Sequence, residues 1–110
     1  MIGAGDLRER VQFLRAAAVD DGLQSRPGGY AVLGSPVWAA RSDISDSESV
    51  AMGQERGVLT SRFVVRRSVF SLGVTVKDRL RHAGRDYHIQ GIKEARQIGF
   101  LEILATVKVA

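Results

Sequence analysis

The 110-residue sequence predicts an all-β fold: a small barrel or sandwich of five or six strands, with one short inserted helix and one long loop. Three observations carry that prediction. Residues 100–109 alternate, with Leu101, Ile103, Ala105, Val107 and Val109 on one face and Glu102, Thr106 and Lys108 on the other, the period of two of a half-buried strand. Residues 60–67 contain Phe63-Val64-Val65, an aromatic and β-branched run of the kind that packs well on a pleated surface. Residues 74–82 and 86–92 flank Ala83-Gly84-Arg85, which reads as a hairpin turn.

The remaining elements follow in order. Residues 1–6, Met-Ile-Gly-Ala-Gly-Asp, are small and read as a flexible arm. Residues 8–15 alternate around Val11 and Phe13 and predict a first strand, while Ala16–Ala18 could extend it or form a short helix. Residues 19–36 hold Asp20, Asp21, Gly22, Pro27, Gly28, Gly29, Gly34 and Pro36, so they read as a long loop with at most a short extended piece at 30–33. Loops of that length are uncommon in compact domains and often functional. Residues 37–44 predict a second strand anchored by Trp38. In 45–57, Ser45-Asp46-Ser47-Glu48 supplies caps and first-turn acids, and Val50, Ala51, Gln54 and Glu55 continue at helical spacing until Gly57. That pattern predicts a helical insert. The whole chain, 1–110, is read as one domain.

Composition narrows the function classes. There is no cysteine, so no disulfide framework and no thiolate metal site. No stretch approaches the roughly 18 apolar residues of a membrane span. Arg8, Glu9 and Arg10 fall where a signal peptide would be apolar, so the expectation is a cytoplasmic protein with no membrane partner. The net charge is +4, and thirteen of the sixteen cations are Arg. That bias suits protein interfaces or nucleic acid, and equally a GC-rich coding sequence.

Catalytic and ligand-binding patterns are weak. If the hairpin is centred on Gly84-Arg85, His82 pairs with Tyr87 and Arg81 with His88, which puts the two histidines on opposite faces, where they cannot share a metal. Leu80, His82, Tyr87 and Ile89 then form the inner face, and Arg79, Arg81, His88 and Gln90 a basic outer one. Neither histidine sits in a nucleophile-elbow context. Asp43, Asp46 and Glu48 are the densest acids, but they match no calcium loop and read as a helix N-terminus. Gly3-x-Gly5 and Gly28-Gly29 lack the setting of a phosphate-binding loop. The arginines at 66, 67, 79, 81 and 85 could form a nucleic-acid stripe, but such barrels also expose stacking aromatics. Phe13, Tyr30, Trp38, Phe63, Phe70, Tyr87 and Phe100 mostly occupy apolar strand positions and read as core. No cofactor and no enzymatic activity are expected.

The succession of pieces carries more than any one of them. The chain opens Gly5-Asp6-Leu7-Arg8-Glu9-Arg10-Val11, continues through Asp21-Gly22 and Trp38-Ala39, and then has the insert holding Glu48. It goes on through Ser61-Arg62-Phe63-Val64-Val65-Arg66, Val76-Lys77-Asp78-Arg79-Leu80, Gly84-Arg85-Asp86-Tyr87-His88-Ile89 and Gly91-Ile92 to a final apolar strand. Over almost its whole length this order resembles the phage head–tail joining family, also called head completion or stopper proteins. The resemblance implies a β-barrel subunit of a hexameric or dodecameric ring below the portal and its adaptor. Such a ring closes the DNA exit after packaging and docks the tail. The implied partners are other copies of the chain, the portal-bound adaptor, the tail terminator or tail, and the double-stranded DNA that passes through. The implied location is the virion head–tail interface, with assembly in the host cytoplasm.

In that frame Asp46, Glu48, Gln54, Glu55 and Arg56 are expected to line the channel or touch neighbouring subunits, because an acidic bore would not grip sliding phosphates. Arg79, Arg81 and His88 are expected to face acidic neighbours in the ring stack. Two alternatives remain open: a small nucleic-acid-binding barrel, and a neighbouring connector component such as an adaptor or tail terminator. Phage and gene-transfer particle are both open as the source.

Overall fold

The computed structural model describes residues 3–20, 25–44 and 57–108. Six strands form a closed barrel: β1 (Glu9–Asp20), β2 (Ser25–Asp43), β3 (Val58–Arg66), β4 (Arg79–His82), β5 (Arg85–Glu94) and β6 (Phe100–Lys108). Their order around the barrel is β1-β2-β3-β6-β5-β4, and every neighbouring pair is antiparallel. The all-β class and strand number agree with the sequence prediction, and closure makes the fold a barrel.

The inner face is built by alternation. Leu101, Ile103 and Ala105 of β6 are buried opposite Val65, Phe63 and Ser61 of β3. Val107 is partly buried against the same core, and Val109 lies outside the described residues. Phe63 meets Tyr87 edge-on at 5.5 Å between ring centroids, the arrangement that suits aromatic quadrupoles. Val11 and Phe13 of β1, Leu80 of β4 and Ile89 of β5 complete the centre.

The expected long loop at 19–36 is corrected. Residues 25–36 belong to β2, and Ala18, Val19 and Asp20 pair with Pro27, Arg26 and Ser25. This part of β2 pairs only with β1, because its pairing to β3 begins at Ala39. Proline and glycine are tolerated there because one edge of the strand needs no ladder bonds. Of the expected arm at 1–6, residues 1–2 lie outside the described residues, while Ala4–Asp6 form a 3-10 turn with Gly3 N donating to Asp6 Oδ2 at 2.8 Å, and the next residue, Leu7, is buried.

Opposite Gln12, β2 carries Gly34-Ser35-Pro36, between the pairs Val11↔Val37 and Phe13↔Leu33. The insertion adds two residues, so Leu33 and Val37 stay on the same face. The Gln12 side-chain amide holds the bulge by donating to the carbonyls of Phe13, Leu33 and Gly34 at 3.0, 3.2 and 3.2 Å.

The helix also differs from expectation. The insert at 45–57 falls outside the described residues except for Gly57. The helix observed is α1 (Val69–Leu72), which follows β3. Ser68 caps it reciprocally with Ser71: Ser71 N donates to Ser68 Oγ at 3.0 Å, and Ser68 N donates to Ser71 Oγ at 2.8 Å. Serine replaces the usual Glu or Gln of a capping box, so the pattern is easily missed. Residues 74–78, expected as strand, form a turn closed by Asp78 N donating to Thr75 O at 3.0 Å.

The β4–β5 turn is Ala83-Gly84, with φ of 51° and 78°. Two successive positive φ values define the tight turn that matches strand twist. Its pairs are His82↔Arg85, Arg81↔Asp86, Leu80↔Tyr87 and Arg79↔His88. The expected register, His82 with Tyr87 and Arg81 with His88, is therefore corrected by two residues. An even slip leaves every side chain on its expected face.

Candidate interaction surface

The outer face over β2, β1, β4 and β5 is set by the core. Because Val11 and Phe13 point inward, Arg10, Gln12 and Leu14 point outward, Leu14 being fully buried on that side. Their cross-strand partners are Trp38 opposite Arg10, Arg81 opposite Gln12, and both Val32 and Arg79 opposite Leu14. Arg79 in turn pairs with His88, and Arg81 with Asp86. Arg79, Arg81 and His88 thus share one outer face, as expected.

Their local chemistry differs. Arg81 grips Asp86 with both ends of its fork, Nε to Oδ1 at 2.6 Å and Nη2 to Oδ2 at 3.1 Å. The hydrogen bonds from Arg81 are the largest influence on the Asp86 carboxyl and, together with the lesser pull of the Arg81 and Arg79 charges, hold it below its ordinary range against burial. The Arg79 guanidinium instead lies 4.0 Å from the centroid of the Tyr30 ring. A second such pair lies further along β1, with Arg10 at 4.4 Å from the Trp38 ring. His88 is exposed beside them.

Trp38, expected as the anchor of the second strand, is corrected to a surface residue that is 50% exposed. Its neighbour Ala39 takes the inward position and is fully buried opposite Val65. Tyr30 is also outside the core. Arg10, Tyr30 and Trp38 are the surface residues that the sequence reading missed. The alternation around Val11 and Phe13 was the available signal for Arg10. Nothing local indicated which residues of β2 lie beside it.

The two histidines occupy opposite faces. His82 is buried, edge-on to Phe63 at 5.6 Å, with Nε2 3.6 Å from Glu9 Oε2. Of the acidic cluster, Asp43 accepts a hydrogen bond from Ser61 Oγ at 2.7 Å and pairs with Arg41 at 3.1 Å. Asp46, Glu48, Gln54, Glu55 and Arg56 lie outside the described residues. Among the described residues, no three His, Asp or Glu come together as metal ligands, and no helix is long and apolar enough to cross a membrane.

The model of the phage head completion protein family matches residues 2–108. The chain belongs to that family. The structure of this head completion protein is similar to the solution structure of protein SF1141 from Shigella flexneri 2a, with a TM-score of 0.71, 22% identity, and 94% of this chain and 95% of that one covered. It is also similar to a chain in the virion of a native gene transfer agent particle, with a TM-score of 0.65, 25% identity, and coverage of 94% and 97%. No curated protein matches the chain. The first likeness speaks for the fold; the family match also makes this a structural head–tail protein of a phage or phage-like virion.

Proposed function

We propose that this protein is the subunit of a stopper ring that closes the DNA exit channel of a filled head and presents a docking surface to the tail. The observation that carries the reading is the family match over nearly the whole chain, supported by the likeness to a chain of a gene-transfer virion. The architecture is suited to the role. Closure removes free edges from the barrel except where residues 25–38 of β2 pair with β1 alone, so copies meet through faces and through that ribbon, and heterologous contacts of that kind close into rings by rotation.

In this reading Asp46, Glu48, Gln54, Glu55 and Arg56 line the bore or join neighbouring subunits. An acid-rich stretch suits a channel through which phosphates must slide. The Arg79, Arg81 and His88 face meets the next component of the stack, the portal-bound adaptor on one side or the tail terminator on the other. Electron microscopy of particles made without the gene tests the role. Filled or leaking heads beside free tails are expected, and intact tailed particles would exclude it. Deleting 47–56 should release packaged DNA; particles that still retain it would remove the insert from the bore.

A second reading is favoured by one observation. Tyr30 and Trp38 are exposed beside arginines, as in small barrels that stack bases. A DNA affinity falling steeply with salt would support it.

A further inference from the structure

Several arginines have carboxylate partners within the chain, among them Arg15 with Asp78, Arg41 with Asp43, Arg67 with Glu94, and Arg81 with Asp86. Arg10 and Arg79 differ. Each guanidinium is held over an aromatic ring, at 4.4 and 4.0 Å, and among the described residues neither has a hydrogen-bond or ion-pair partner. A guanidinium already held in place by a ring gives up less side-chain freedom when it binds a carboxylate through its fork.

The surroundings define what would bind. Arg10 and Arg79 reach the outer face at positions four residues apart along β1, because Arg79 lies opposite Leu14; the separation is about 13 Å along the strand. Between and around them are Trp38 (50% exposed), Val32 (63%) and Tyr30 (37%). Tryptophan, tyrosine and arginine are the residues that dominate binding energy at protein interfaces. A nucleic-acid backbone fits less well. Arg81 is neutralised by Asp86, and that carboxylate stands on the same face, interrupting the positive track that a phosphate chain needs.

We propose that the outer face of β2, β1 and β4 is a receptor for an acidic protein surface. Arg10 and Arg79 take carboxylates of a neighbouring virion protein, while Trp38, Val32 and Tyr30 meet apolar side chains beside them. This deepens the connector reading, on which it rests for the partner's being the next component of the stack.

The test uses particles from a genome lacking the gene, complemented with the full-length protein or its variants. The double substitution Arg10→Lys, Arg79→Lys keeps both charges and removes both forks. It should leave the circular-dichroism spectrum unchanged, yet lower the yield of tailed particles by about tenfold or more and strip the protein from purified heads. Should that variant fail to fold, Val32→Glu serves instead. It places a carboxylate at an exposed position across Leu14 from Arg79, where it competes with the partner's carboxylates, and the same loss is expected. Wild-type joining by a folded variant would overturn the proposal while leaving the connector reading intact. Tailed particles in the complete absence of the gene would instead overturn the connector reading. Titration with a fluorescein-labelled DNA duplex and single strand provides the remaining arm. If Val32→Glu removes salt-dependent DNA affinity and leaves joining untouched, the face binds nucleic acid and the proposal fails.

Discussion

Arg15 of β1 holds Asp78, 63 residues later in the chain, through two parallel hydrogen bonds of 2.9 Å, Nε to Oδ1 and Nη2 to Oδ2. The same guanidinium donates to Gly73 O at 2.9 Å, and Asp78 Oδ2 also accepts from Thr75 N at 2.9 Å. Asp78 is buried, while the Arg15 side chain stays half exposed. The pair fastens the turn between α1 and β4 to β1, next to the point where Leu14 and Arg79 close the barrel. Asp78→Asn removes the charge and leaves buried polar groups poorly matched, so it should lower stability by about 2–3 kcal/mol, read by chemical denaturation. A loss below about 0.5 kcal/mol would mean that the turn is held by its backbone alone.

The same pair predicts acid sensitivity. Burial by itself pushes the Asp78 carboxyl up, but the hydrogen bonds from Arg15 and Thr75 and the Arg15 charge together outweigh it, and the net shift is below the ordinary 3.8. Asp86 is lowered too, through Arg81. A carboxylate whose folded pKa is depressed contributes stability that is fully present above its unfolded pKa and lost as pH falls through the folded value. Stability should therefore decline as pH drops below about 4. In Asp78→Asn that decline should be shallower, as measured by denaturation at stepped pH. Equal slopes in both proteins would assign the acid loss elsewhere.

Gly34 is a position where the backbone and a neighbour both exclude a side chain. Its φ is +67°, and a Cβ there would collide with Cε1 of Phe70. Gly34→Ala should cost about 2–3 kcal/mol, part from the left-handed backbone and part from displacing the ring. Pairing it with Phe70→Leu should relieve the second part only. A double-mutant cycle in which the two costs simply add would show that the ring moves aside freely.

Core and surface apolar residues should respond oppositely. Phe63→Ala empties the centre of the barrel, where Tyr87 and His82 both meet the ring edge-on, and should cost about 3–5 kcal/mol. Val69→Ser changes a side chain that is 93% exposed and should stay within about 0.5 kcal/mol of the parent. Thermal unfolding of the two variants checks the contrast.

Much of the fold was legible because alternation is a local property. The inward set of Leu101, Ile103 and Ala105 follows from period two alone. So do the outward positions of Arg79, Arg81 and His88, which survived a two-residue error in register because side chains repeat every second residue. The family resemblance was legible for a different reason: it depends on the order of motifs along the chain.

What tertiary structure alone decided is which residues stand side by side and how much room the interior has. A six-stranded barrel leaves a narrow interior, so Ala39 turns inward against Val65 and the larger Trp38 turns out, although composition suggested the reverse. Gly28, Gly29 and Pro27 read as loop signals, yet they lie in a strand because that stretch of β2 pairs on one side only. Pairing of β1 with β2 brought Arg10 to Trp38, and closure of β4 onto β1 brought Arg79 to Tyr30. Those contacts join residues 28 and 49 positions apart, and a period-two pattern within a strand carries no information about which distant strand will lie beside it.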